Sequence, residues 1–200
     1  MNGLTNLVSE DATGRRGAVG VGNQEVDLVD LASGNILRRF AVPLDPTVVA
    51  LTDDGKTLLA GCPNALFCWS TGDGKLLWED RKTESVPIKI AFSPNGKRFA
   101  ITGSQRGLIF DLGSGKQILE LIGHGDSIFS IAWSPDGTRI ATGSGDKTVK
   151  IWDAVTGRDF GVIGTHATDV VAVSFLPGGE TLASFSGDGV LKLWQSEVKR

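Results

Sequence analysis

The stretch "GHGDSIFSIAWSPDGTRIATGSGDKTVKIWD", Gly123 to Asp153, runs polar, apolar, turn, apolar, turn, apolar. Forty-two residues later "THATDVVAVSFLPGGETLASFSGDGVLKLW", Thr165 to Trp194, passes through the same events. The end of an alternating segment marks the period best: "VKIWD" at Trp152, "LKLWQ" at Trp194, "GLIFD" at Phe110, "LFCWS" at Trp69 and "VDLVD" at Val29, spaced 42, 42, 41 and 40 residues. A tight turn keeps step with it as "SPDG" (Ser134–Gly137), "SPNG" (Ser93–Gly96), "TDDG" (Thr52–Gly55), "LPGG" (Leu176–Gly179) and, more weakly, "SEDATG" (Ser9–Gly14). A third signal follows the aromatic position: "LASGN", "STGDGK", "LGSGK" and "AVTGR". Three signals in phase over 200 residues give five repeats, at roughly 1–43, 44–83, 84–123, 124–165 and 166–200.

Inside a repeat the chemistry is that of strands. "SIFSIAW", "TRIATG" and "TVKIWD" are short, rich in β-branched and aromatic residues, and bounded by Pro, Gly and Asp turns. "KTVKIW" alternates polar and apolar, as a strand with one buried face does. A fourth strand is expected in "NILRRF", "KLLWED", "KQILELI" and "GRDFGVI". Four antiparallel strands make a sheet that cannot bury both faces alone, so it packs on its neighbours. The fold class that follows is all-β, a β-propeller of four-stranded blades.

Composition narrows the function classes. Net charge is −3 with Lys and Arg dispersed, so no basic stripe points to nucleic acid. No apolar run reaches the length of a membrane span, and "MNGLTNLVSEDATGRR" lacks the layout of a signal peptide, so no membrane partner and a cytoplasmic location are expected. Cys62 and Cys68 have no second pair for a metal site and read as small core residues. "GDSIF" at Gly125, "GSGDKT" at Gly143 and "GVGNQE" at Gly20 echo hydrolase, phosphate-loop and dinucleotide motifs, but each falls in a strand-to-strand loop with no helix after it. No cofactor is expected.

The residues resemble the WD-repeat β-propellers. That family carries Gly-His before the first strand, Asp in the turn between the second and third, and Trp-Asp closing the third. The fourth repeat has Gly123-His124, Asp146 and Trp152-Asp153; the fifth has His166, Asp188 and Trp194, with Thr165 and Gln195 as departures. The first three repeats keep the rhythm without the His or the turn Asp. The resemblance implies two hydrogen-bonded tetrads, His124–Thr142–Asp146–Trp152 and His166–Ser184–Asp188–Trp194. Each would pin two loops to a third strand, with every polar atom satisfied inside the blade.

Two readings compete with a purely structural one. Ser184, His166 and Asp188 have the types of a hydrolytic triad, but the same set recurs with Thr142 in the preceding repeat, as a brace would. "STGDGKLLWED", Ser70–Asp80, resembles the Gly-Lys-x-x-Trp turn of quinone-dependent dehydrogenase propellers; it occurs once, and Trp78 on an outer strand covering its neighbours accounts for it.

The resemblance also implies a partner-binding face of loops preceding the first strand and joining the second to the third. Its characteristic positions lie four and six residues before the aromatic or apolar residue that precedes the first turn. They fall on Phe129 and Ser127, Val171 and Asp169, Ile88 and Val86, and Thr47 and Asp45. This mixture of apolar side chains and acids suits a protein or peptide partner better than a phosphate backbone. Phe129 stands out because its repeat neighbours are smaller. Five repeats against the family's usual seven, with no closing strand before "LTNLVS" or after "LKLWQSEVKR", lead to the expectation of an interaction scaffold that is the C-terminal part of a larger protein. Self-association through the open blade edges is expected with it.

Overall fold

The computed structural model describes residues 7–195. All regular structure among them is β, in nineteen strands. Sheet one is β1 (Val8–Glu10), β2 (Arg16–Val21), β3 (Glu25–Asp30) and β4 (Ile36–Ala41); sheet two is β5 (Val48–Leu51), β6 (Thr57–Cys62), β7 (Ala65–Ser70) and β8 (Leu76–Asp80). Sheet three is β9 (Lys89–Phe92), β10 (Arg98–Thr102), β11 (Arg106–Asp111) and β12 (Gln117–Ile122). Sheet four is β13 (Ile128–Trp133), β14 (Arg139–Ser144), β15 (Thr148–Asp153) and β16 (Asp159–Thr165); sheet five has β17 (Val170–Phe175), β18 (Thr181–Ser186) and β19 (Leu191–Gln195). Each sheet takes its strands from one repeat in chain order. No sheet among the described residues pairs strands from the two ends of the chain, so strand pairing does not close the propeller. The first half of "LTNLVS" and the tail of "LKLWQSEVKR" lie outside the described residues.

The turns explain the regularity. Gly14, Gly55, Gly96, Gly137 and Gly179 each donate their backbone N–H to the carbonyl three residues earlier, at 2.7–3.0 Å. Each adopts φ between 64° and 75°. A Cβ is strained there, which is why glycine recurs at this point of every repeat. The weakest sequence match, "SEDATG", forms the same turn as the strongest.

The chain forms two compact units. One holds the described residues up to Ile90 with Leu112–Lys116; the other holds Ala91–Asp111 and Gln117 onward. In the first, Ala18, Val26 and Leu28 pack with Leu58, Ala60 and Phe67, and the Trp69 ring lies 5.2 Å from Phe40 and 5.7 Å from Phe67. Trp78 places its ring against Gly115, where an added Cβ would come within 2.5 Å, and its N–H donates to the Leu112 carbonyl at 2.7 Å. Cys62 and Cys68 are buried free thiols, and burial pushes them up to about 11 and about 12.

In the second unit, Ala100, Ile109 and Leu121 of sheet three pack on Ile131, Ile140 and Trp152 of sheet four. The other face of sheet four, with Ala141, Val149 and Ile151, is covered by Val170, Val173 and Leu182 of sheet five. Strand β17 approaches so closely that a Cβ on Gly143 would sit 2.6 Å from Val170 Cγ1 and 3.1 Å from the Val170 carbonyl oxygen. In the first unit Gly20 is crowded in the same way by Pro46, at 3.1 Å, and Gly61 by Pro87, at 2.9 Å.

Gly143→Val forces β17 off sheet four and is expected to cost about 1–3 kcal/mol in urea unfolding. Gly187→Ala, whose added Cβ meets nothing nearer than 3.7 Å, is expected to change stability by less than about 0.5 kcal/mol.

Candidate functional site

The loops leading into β13 and joining β14 to β15 are fixed by a buried chain of hydrogen bonds. The indole N–H of Trp152 donates to the Thr142 hydroxyl at 2.8 Å, and that hydroxyl lies 2.7 Å from His124 Nε2. On the other side of the ring His124 Nδ1 is 2.8 Å from Asp146 Oδ2. A carboxylate only accepts, so Nδ1 carries the proton; Nε2 of the neutral ring then accepts from Thr142. The second Asp146 oxygen receives the Thr148 hydroxyl at 2.6 Å and the Thr148 amide at 2.9 Å, while Oδ2 also accepts from the Gly125 amide at 2.9 Å. The tetrad implied for the fourth repeat is complete.

Its electrostatics follow. Burial is the largest influence on the imidazole and holds His124 below its ordinary value of 6.5, against the pull of Asp146. Burial on its own would raise the Asp146 carboxyl, but hydrogen bonds from the Thr148 side chain, the Gly125 amide and His124 outweigh it. The carboxyl is held well below its ordinary 3.8.

The fifth repeat needs a correction. Trp194 donates to the Ser184 hydroxyl at 2.7 Å, which lies 2.7 Å from His166 Nε2, so three of the four residues meet as expected. Asp188 does not join them. Its Oδ1 accepts from the Ser186 hydroxyl at 2.5 Å, and His166 Nδ1, although buried, has no hydrogen-bond partner among the described residues. The cause is two positions away. Thr148, whose side chain and amide orient Asp146 in the fourth repeat, is replaced by Val190, and Lys147 by Gly189 at φ 85°. Without the hydroxyl at 190, Asp188 turns back onto its own loop. The three residues with the types of a hydrolytic triad are therefore not assembled: His166 lacks its carboxylate, and the Ser184 hydroxyl is spent on an indole and 1% exposed.

Around the complete tetrad the loops are held tightly. Gly145 donates to the Ser127 carbonyl at 2.9 Å, and the Ser144 hydroxyl to the Asp126 carbonyl at 3.0 Å. Phe129 is half-buried over this turn: a Cβ on Gly145 would sit 3.2 Å from its Cε2 and 3.2 Å from Asp126 Cγ. Ser127 is partly exposed beside it. In the fifth repeat Gly187 donates to the Asp169 carbonyl at 3.0 Å, Asp169 is exposed, and Val171 is 42% exposed. In the first unit Val86 is 46% exposed and Ile88 half-buried, while Thr47 donates to the Pro87 carbonyl at 2.6 Å and Asp45 accepts from the Gln24 amide at 2.9 Å. Asp45 and Thr47 are thus engaged in fixing backbone. Arg106 pairs with Glu120 at 3.5 Å.

Removing the brace should be asymmetric. Asp146→Ala strands the His124 N–H and the Gly125 and Thr148 amides, with an expected loss of about 1–3 kcal/mol or more, whereas Asp188→Ala is expected to cost under about 1 kcal/mol. The pH dependence has a defined sign. Both groups are lowered in the folded state, so the unfolded chain binds the proton first and stability declines as pH falls. His124 begins this decline near 6.5, and Asp146 deepens it below 3.8. Urea titrations across pH should show the lower limb flattened in Asp146→Asn.

Comparison with known proteins agrees with the geometry. The family profile described as WD domain, G-beta repeat matches residues 115–153 and 157–195, the stretches that carry the two Trp–hydroxyl–His chains. The human intraflagellar transport protein 122 homolog is 39% identical over 77 residues, 38% of this chain and 6% of that protein. The mouse counterpart is 36% identical over 77 residues with the same coverage. Bovine WD repeat-containing protein 1 is 48% identical over 69 residues, 32% of this chain and 11% of the relative. The aligned stretch is thus only about a tenth or less of these relatives' length. Five sheets of consecutive antiparallel strands, a complete tetrad and two matched repeats lead to one conclusion: residues 115–153 and 157–195 are WD repeats, and the all-β architecture around them is consistent with propeller blades.

Proposed function

We propose that the chain is a non-catalytic interaction scaffold that binds a peptide or protein partner through the loops entering β13 and β17 and joining β14 to β15. The observation that supports this reading is Phe129. A ring partly open to water sits over the Gly145 turn that the Asp146 tetrad braces, with the exposed Asp126 at the same glycine, and the loop entering β17 carries the exposed Asp169 and Val171. Core packing does not require a large ring at this point, since the fifth repeat has Val171 at the same position. An aromatic ring with the Asp126 carboxylate close by favours an extended segment that pairs an apolar side chain with a Lys or Arg. Tight packing around the complete brace keeps the ordering cost of such loops low on binding.

Selection of a displayed peptide library on the 200-residue chain tests the proposal. The expected result is enrichment of apolar-basic sequences whose affinity falls about tenfold or more in Phe129→Ala, the loss typical of an interface anchor. Val86→Ser should leave binding to this site unchanged. Enrichment indifferent to Phe129 would overturn the choice of site. Ester or peptide turnover lost in a folded Ser184→Ala variant would overturn the non-catalytic reading.

A further inference from the structure

The turns that join the first and second strands of sheets two, three and four are built alike, with one chemical difference. In each, a side-chain oxygen of the third turn residue accepts from a hydroxyl and from a backbone amide. Asp54 accepts from the Thr52 hydroxyl at 2.8 Å and the Lys56 amide at 3.0 Å. Asp136 accepts from the Ser134 hydroxyl and from the Thr138 amide at 3.0 Å. Asn95 fills the same place with an amide oxygen, bonded by the Ser93 hydroxyl at 2.8 Å and the Lys97 amide at 3.0 Å.

The residue after each is glycine, and Asn95 is the asparagine among the described residues that precedes one. A Cβ on Gly55 would lie 2.8 Å from Asp11 Oδ2 and one on Gly137 3.8 Å from Pro94 Cδ, whereas one on Gly96 would meet nothing within 4 Å. Asn95 itself is exposed, so water and base reach it freely.

We propose that Asn95 is a site of spontaneous deamidation, which its turn directs to aspartate. The Gly96 nitrogen, after losing its proton to hydroxide, bonds to Asn95 Cγ. The Cγ–Nδ2 bond then breaks, and ammonia leaves with a proton taken from water. Water opens the resulting cyclic imide in one of two places. Attack at Cγ gives aspartate; attack at the main-chain carbon gives isoaspartate, with the chain routed through Cβ. The Ser93 and Lys97 donors stand at the oxygen on which negative charge develops when Cγ is attacked, so they favour ring closure there and ring opening there. The Gly96 N–H donates to the Ser93 carbonyl at 2.9 Å, and conversion proceeds as this one turn bond opens.

The fold also distinguishes the products. Isoaspartate lengthens the backbone of a turn whose ends are fixed by the paired strands β9 and β10. Aspartate reproduces the turns of Asp54 and Asp136, and an ionised acceptor takes stronger hydrogen bonds than an amide. The reaction stops at that point. The Ser134 hydroxyl bond leads in holding Asp136 down to about 2, the Lys56 amide leads in lowering Asp54, and an ionised carboxylate resists attack by the following nitrogen.

Incubation of the 200-residue chain at mildly alkaline pH, followed by peptide mapping, tests this. The tryptic peptide Ile90–Lys97 should gain the mass of amide-to-acid conversion, with aspartate as the main product by electron-transfer fragmentation. The chain incubated in urea, where both donors are lost, should give a larger share of isoaspartate. The urea midpoint of the folded chain should rise as conversion proceeds, and Asn95→Asp should show the full rise from the start. Asn95→Gln should keep its mass. A folded chain still unconverted when the unfolded one has reacted fully, the same product ratio in both, or an Asn95→Asp variant no more stable than the parent would each overturn the proposal. Peptide binding at Phe129 is a separate readout from all of these.

Discussion

The Cβ missing from Gly143 sets how near sheet five can come to sheet four, and much of the second unit depends on that spacing. With β17 close enough for Val170 to occupy the gap, Val149, Ile151 and Ala141 lose contact with water, and Val173 and Leu182 close the layer. Burial of this kind supplies most of the stability available to a repeat that has no core of its own. The approach also brings the amide of Val173 to the Ser130 hydroxyl at 3.0 Å, so a backbone donor beside the stacked sheets finds an acceptor across them.

The polar brace is a second, more local device, and the repeats trade it against apolar packing. Where the fourth repeat has Thr142 and Trp152, the third has Ile101 and Phe110, and the Phe110 ring stacks on Phe99 at 5.0 Å. Where the fifth has Ser184 and Trp194, the second has Ala60 and Trp69, and Trp69 is held by Phe40 and Phe67. Either arrangement keeps the third strand in place. Only the hydrogen-bonded one also reaches the loops, because a carboxylate in a turn can hold an imidazole from one loop and amides from two.

Much of this was legible from residue types. The five turns appear where Asp, Asn and Gly clusters were read, the fourth strands lie where "NILRRF", "KLLWED", "KQILELI" and "GRDFGVI" were expected, and the single Gly-Lys-x-x-Trp match proved to be a Trp packed on Gly115. The fifth tetrad was misjudged because its four motif residues were read without position 190. A Val there in place of Thr148 removes the donor that orients the carboxylate, and the difference is visible in the two sequences two residues after the turn Asp.

The sequence by itself determined the strands, the turns and the five-fold repetition. Those features rest on local chemistry: alternation over four to six residues, and glycine where φ must be positive. Tertiary structure alone decided which apolar strands are covered and which are left open. Val149 of β15 and Leu191 of β19 hold equivalent places in the third strands of their repeats. Val149 is buried because a strand of the next repeat packs over it, whereas Leu191 is 62% exposed, and no local pattern contains that contact.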